Sequence, residues 1–294
     1  MKSAAGHRYG FELVFFRQGQ QGKGSGNRSA WRADEVWLAH LALTDIDARK
    51  FRYTHRLNRS GPGVAGASQA ERRIWNGNWS AQWHGEEQTL TALADDVKFE
   101  LHLKPVKPLV IHGEHGVSQK AEGPGKASHY VSFPRLSVAG KLNGDEVSGT
   151  AWMDHEWFTH QLTAEQLGWN WFSMQLEDGR DLMLFQLRRK DGSIDRFSSG
   201  TLIERDEHAR RLKVGDFTQE PRERWKRYPV RWRIRVPSAA LDLQCKATLE
   251  DQELKTAGVG PTYWEGAVTY GGPPSGVGYL EMTGYEESVE SLVK

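Results

Sequence analysis

Between residues 149 and 160 the chain reads Gly-Thr-Ala-Trp-Met-Asp-His-Glu-Trp-Phe-Thr-His, and at 168–171 it continues with Gly-Trp-Asn-Trp. Asp154, His155 and Glu156 are adjacent, and Trp152, Trp157, Trp169 and Trp171 bracket them, four of the chain's twelve tryptophans. Titratable groups set among large apolar rings are what a water-poor reaction site requires, because desolvation moves their pKa values toward those useful for proton transfer. The same composition also suits an ordinary strand at a domain junction, its charges held in structural hydrogen bonds. If residues 151–157 are extended, Trp152, Asp154 and Glu156 project to one side and Met153, His155 and Trp157 to the other. Two carboxylates on one face beside Trp152 would raise one another's pKa. One would then stay protonated near neutrality, able to act as a general acid.

Other chemistries fit less well. His155 and His160 resemble the His-Glu-x-x-His metal pattern but stand five apart; on a helix they would diverge by roughly 140°. His112-Gly113-Glu114-His115 has a closer spacing, but its glycine points to a loop, and neither a metal nor a cofactor is expected. There is no Gly-x-Ser-x-Gly elbow, and Cys245 alternates with Leu241 and Leu243 as a small core residue does. The glycines at 22–26 lack the spacing and the helix of a phosphate loop. Residues 222–235 carry seven Lys or Arg among Trp225, Tyr228 and Trp232. They read better as the solvated face of a strand than as a nucleic-acid surface.

The elements that must position these residues are strands. Period-two alternation recurs at 9–17, 35–45, 98–104, 169–177, 181–189, 231–236, 241–249, 263–270 and 278–285. Asp178-Gly179 and Asp191-Gly192 supply hairpin turns. Helical periodicity is confined to a candidate turn at 163–167 and a terminal segment at 286–292. Residues 18–29 form a polar, glycine-rich connection, and 111–128 a long candidate rim or lid loop. Apolar residues are 38% of the 294 and charged residues 26%, enough for a core under a well-solvated surface. A net charge of +1 gives no field to gather nucleic acid or anionic membrane. One cysteine excludes an internal disulfide framework, and no apolar run is long enough for a transmembrane helix. The expectation is an all-β chain of antiparallel strands.

An ordered set of segments carries a family resemblance: Tyr-Gly-Phe-Glu-Leu-Val-Phe-Phe-Arg (9–17), Ala-His-Leu-Ala-Leu-Thr-Asp (39–45) and Ser-His-Tyr-Val-Ser-Phe-Pro-Arg-Leu (128–136). These are followed by the segments at 149–157 and 168–179, then 182–188, 263–268 and 278–285. Together they resemble the AttH/CrtC family, which includes the carotenoid 1,2-hydratases, or hydroxyneurosporene synthases. The resemblance implies two lipocalin-like antiparallel β-barrel halves packed together, residues 1–157 and 158–294. It also implies an apolar ligand at or between them, bound by Tyr130, Trp152, Trp157, Trp169, Asn170 and Trp171. Members of this kind work without a redox cofactor, some beside an ABC-type transporter, in a periplasmic or membrane-peripheral setting. Two departures stand out. The Trp-Trp-Tyr strand that usually precedes the Tyr-Gly-Phe segment is missing, which suggests a start upstream of Met1. Asn170 stands where Trp-Asp-Trp is the familiar form.

Two functions follow as expectations. In the first, Asp154 protonates an isolated C=C bond, aromatic faces stabilise the cation, and His155 or Glu156 orients the water. In the second, the same pocket belongs to a non-catalytic carrier of a lipid or other apolar molecule. Asn170, which cannot donate a proton as an aspartic acid does, weighs toward the carrier.

Overall fold

The computed structural model describes residues 1–19, 35–61, 63–158, 162–256 and 262–286. Among the described residues strands make up nearly all of the regular structure, and the strand pairs run antiparallel. The chain divides into two compact units. The first comprises Met1–Val106 and Leu136–Ala151, the second Lys107–Arg135 and Trp152–Lys294. The units therefore do not follow a single cut in the chain; both boundaries after residue 106 fall inside the long strands Ala127–Leu142 and Asp145–Phe158. The glycine-rich connection at 18–29 and the terminal segment at 286–292 lie almost wholly outside the described residues.

In the first unit a meander runs through Ala65–Ser68, Arg73–Asn76, Trp79–His84, Glu87–Ala94 and Val97–Pro105. Alternation in the last of these is clean: Phe99, Leu101 and Leu103 are buried, while Lys98, Glu100, His102 and Lys104 face solvent. A separate three-stranded sheet, Tyr9–Gly19, Glu35–Asp45 and Lys50–Arg59, buries Trp37, Ala39, Leu41 and Leu43 on one side of its middle strand.

The largest part of the second unit is one curled sheet. Its strands lie in the order Ala209–Lys213, Ser199–Ile203, Asp181–Arg189, Gln166–Leu176, Gly276–Met282, Tyr263–Gly271, Leu241–Ala247, Arg231–Val236 and Thr218–Pro221. One face carries the core, with Phe172, Met174, Leu184, Trp232, Leu243, Trp264 and Leu280 all but inaccessible. The basic strand behaves as its alternation requires. Trp232, Ile234 and Val236 are buried, whereas Arg231, Arg233 and Arg235 pair with Glu223, Asp242 and Glu220. Charges neutralised in this way are not arrayed for a phosphate backbone.

Two local expectations change. Residues 163–167 form a turn rather than a helical turn: the Gln166 N–H donates to the Thr163 carbonyl, and the Gln166 side-chain oxygen accepts from the Thr163 N–H. The strand Gln166–Leu176 begins at once, so no helix can propagate. The region 111–128 is tied down rather than free, because Val117–Gln119 pairs with the strand Ala127–Leu142 at Val117↔His129 and Gln119↔Ala127. Gly113, at φ +75°, makes the turn possible; a Cβ there would lie 2.2 Å from the Val117 carbonyl oxygen.

Gly278 has a different reason to be glycine. A Cβ there would lie 1.9 Å from the Ser173 carbonyl oxygen and 2.9 Å from the Tyr270 ring, whose hydroxyl donates to that same carbonyl at 3.0 Å. The bare backbone lets the Tyr270 ring lie across the strand. Gly278→Ala is expected to cost about 1–3 kcal/mol by overpacking, measured as a lowered denaturant midpoint; an unchanged midpoint would show that the sheet gives way freely.

Candidate active site

The site is assembled inside the second unit from two neighbouring strand segments and the stretch that precedes them. On the strand Ala127–Leu142, Ser128, Tyr130 and Ser132 stand at period two and share a face. On Asp145–Phe158, Trp152, Asp154 and Glu156 do the same. The two rows meet side chain to side chain. The Ser132 hydroxyl donates to Asp154 Oδ1, and the Ser128 hydroxyl donates to Glu156 Oε1 at 2.5 Å. Trp152 Nε1 donates to Asp154 Oδ1 at 2.7 Å. Tyr130 lies close enough to the Asp154 carboxyl for each to influence the other's ionisation, and its oxygen accepts from Trp171 Nε1 at 3.0 Å.

Desolvation pushes the Asp154 carboxyl up to about 6, against hydrogen bonds from Ser132 and Trp152 and the nearby Tyr130, which favour the anion; the charge of Glu156 adds to the rise. Part of the Asp154 side chain remains open to solvent even though protein surrounds it densely. Burial and the neighbouring carboxylates hold the Tyr130 phenol well above its usual range.

Beside this cluster lies a pocket lined by Tyr130, Phe158, Leu162, Trp169, Trp171, Phe185 and Leu187, with Lys120 and Glu156 as its charged members. The space among these side chains is about 460 Å³ when the solvent at its open mouth is included. Lys120 Nζ is 3.0 Å from Glu156 Oε1 and 3.8 Å from the centre of the Phe185 ring. Ion pairing and a cation–π contact thus hold one ammonium against an aromatic wall.

The residues singled out from sequence fall into three groups. Asp154, Glu156, Trp152, Tyr130, Trp169 and Trp171 come together, and Trp152 packs edge-on against Trp171 at 6.3 Å. His155 and Trp157 lie on the other side of their strand, in ring contact with one another, and Trp157 also stacks on His129. Trp157 is 48% exposed. Asn170 projects opposite to Trp169 and Trp171, toward the core face of the sheet, where it accepts from the Tyr285 hydroxyl at 3.0 Å. His160 lies outside the described residues.

Sequence reasoning missed Ser128, Ser132, Lys120, Phe185, His112 and Thr201. The serines had a signal: their period-two spacing around Tyr130 places all three on one face. His112 had none, since its partners Ser132 and Thr201 lie 20 and 89 positions away.

Curled antiparallel sheets with an aromatic-walled pocket define a lipocalin-like protein, and the fold class expected from sequence holds. The chain belongs to the AttH-like family, whose model matches residues 1–285. It is 32% identical to a Nitrosomonas europaea protein described as an AttH, with a TM-score of 0.86 over 97% of this chain and 89% of that one. Kievitone hydratase from Nectria haematococca shares the fold at 15% identity and a TM-score of 0.75, over 97% of this chain and 86% of its own. No curated protein matches the sequence.

Proposed function

We propose that this protein binds an apolar ligand, an isoprenoid, polyene or lipid, in the aromatic pocket and adds water across one of its C=C bonds by acid catalysis, without a cofactor. The observation that carries the reading is Asp154. It is a carboxyl held by Ser132 and Trp152 beside Tyr130, which lines the pocket, and desolvation raises it to about 6. The fold shared with a hydratase is consistent with this reading at the level of fold alone.

Asp154 is not among the pocket-lining residues, whereas Tyr130 is. The proton therefore passes through the phenol. The Tyr130 O–H proton goes to one alkene carbon as the Asp154 proton replaces it, leaving a carbocation on the other carbon. The faces of Trp169 and Trp171 stabilise that cation. Water held by Glu156 adds to it and releases a proton, which returns to the Asp154 carboxylate. The net change is one water added and the protein restored.

Tyr130→Phe is expected to lower the hydration rate by about 100-fold or more, the low end of general-acid contributions. A parent-like rate would show that Asp154 reaches the alkene directly. The pH dependence has a definite sign. A carboxyl titrating at about 6 is the competent acid below that value, so kcat/KM should fall as pH rises through 6, tenfold per unit above it. A rate flat from pH 5 to 8 would remove Asp154 as the proton source.

A second reading, a carrier working beside a membrane transporter, draws support from the same absence of Asp154 from the pocket wall. Native mass spectrometry of gently purified protein separates the two. A retained, unchanged apolar ligand with no turnover of supplied alkenes favours the carrier.

A further inference from the structure

His112 is almost wholly buried, at 1% exposure, yet its ring sits beside the site's Tyr130, with centroids 4.4 Å apart. Both of its nitrogens are engaged by hydroxyls: Nδ1 with Thr201 Oγ1 at 2.8 Å and Nε2 with Ser132 Oγ at 2.8 Å. Ser132 in turn meets Asp154 Oδ1. A continuous row thus runs Thr201–His112–Ser132–Asp154. A buried imidazole flanked by two neutral hydroxyls does not hold a positive charge, and burial together with the Lys120 charge lowers it to about 3. The ring is neutral throughout the working range, so it carries one N–H.

The hydrogens of the row can then be assigned. If the N–H is on Nε2, it donates to the Ser132 oxygen, and the Ser132 hydrogen must turn to Asp154 Oδ1. Thr201 supplies its hydrogen to Nδ1. Oδ1 then accepts from both Ser132 and Trp152 Nε1, which leaves no favourable place there for an acidic proton.

We infer that His112 is a positioning residue for the acid: through Ser132 it fills Asp154 Oδ1 with donated hydrogens and so confines the acidic proton to Oδ2. The opposite tautomer would let Ser132 turn its hydrogen toward His112 and accept a proton from Oδ1 instead. The groups that bear on this titration are Tyr130, Ser132, Trp152 and Glu156 around Asp154, and Thr201, Lys120 and Tyr130 around His112. As a catalytic role the inference rests on Asp154 being the acid, but the coupling itself is measurable without substrate.

The test is ¹⁵N NMR of the full-length protein labelled at histidine, with Asp154 followed by its ¹³C carboxyl shift. The expected result is a neutral His112 in the Nε2–H tautomer from pH 5 to 8. Ser132→Ala should move the Asp154 midpoint upward by roughly half a unit or more, as loss of a hydrogen bond to the carboxylate requires. His112→Phe should move it in the same direction. Thr201→Val, which keeps the shape and removes the acceptor that an Nδ1–H would need, should leave the Nε2–H form in place. A His112 fixed in the Nδ1–H form, or a midpoint indifferent to both Ser132→Ala and His112→Phe, overturns the inference. If His112→Phe does not fold, the tautomer in the parent and the Ser132→Ala shift decide it. If the coupling is found but no alkene is hydrated, the function proposed for the site fails and the positioning of the acid stands.

Discussion

Asp154→Asn is expected to reduce alkene hydration by about 10²–10⁴-fold, the span contributed by a positioned general acid, while leaving the protein folded. The amide keeps the shape of the carboxyl and can still accept from Ser132 and Trp152, so the local hydrogen bonds have partners. What it lacks is a transferable proton. Stability should move the other way from activity. The folded pKa of Asp154, about 6, lies above its ordinary value of 3.8. The folded state therefore binds the proton more tightly than the unfolded chain does, and ionising Asp154 opposes folding. That penalty is absent below about pH 4 and complete above pH 6. The Asn variant should thus unfold no earlier than the parent at pH 7 to 8, and its advantage should fade as pH falls. Unfolding midpoints at pH 4 and pH 7.5, taken beside initial rates, check both halves. A variant that is inactive because it is unfolded, or one that retains the parent rate, contradicts the assignment.

The second large effect is structural. Asp181 is fully buried, with Lys107 Nζ 2.8 Å from Oδ2 and Arg135 Nη2 2.7 Å from Oδ1. Lys107 also donates to the carbonyls of Gly179 and Glu204, and Arg135 to those of Leu176 and Arg180. The cluster fastens the residues that lead into the site strand onto the 177–180 hairpin, all within the second unit. Asp181→Ala leaves two cations without their counter-charge in a site closed to water, a change that costs about 3–5 kcal/mol for buried pairs. Arg135 keeps a fifth of its side chain exposed, which points to the lower end of that range. Denaturant unfolding followed by tryptophan fluorescence should show the loss in the second unit's transition. Replacing Lys107 with Met in the same background should recover part of it by removing a stranded charge. A loss below 1 kcal/mol would mean that water reaches the cluster and screens it.

Much of this architecture could be read from the chain. Alternation located the strand at 35–45 to the residue and the hairpin between Leu176 and Asp181 closely, because a half-buried strand must alternate and Asp-Gly suits the turn. The same rule gave the shared face of Trp152, Asp154 and Glu156. The tie at 117–119 was not legible, since three residues are too few for a period. Nor was the role of His112. Its partners are fixed by strand register over long separations, and no local pattern encodes register. Asn170 shows the limit from the other side. Its neighbours Trp169 and Trp171 drew attention to it, yet alternation turns it to the opposite face, with Phe172 and Met174. An asparagine there leaves the acid on the pocket side untouched, so its presence argues against hydration less strongly than the bare sequence suggests.

The most direct measurement is turnover in deuterated water at pD 5.5 with a panel of isoprenoid compounds bearing an isolated trisubstituted C=C bond, analysed by mass spectrometry and NMR. Acid-catalysed hydration places one deuterium on the less substituted alkene carbon and a hydroxyl on the other. That product should form with the parent protein and be lost with Asp154→Asn. An apolar compound that binds the aromatic pocket and comes away unlabelled and unhydrated, from parent and variant alike, would contradict the account and leave a carrier in its place.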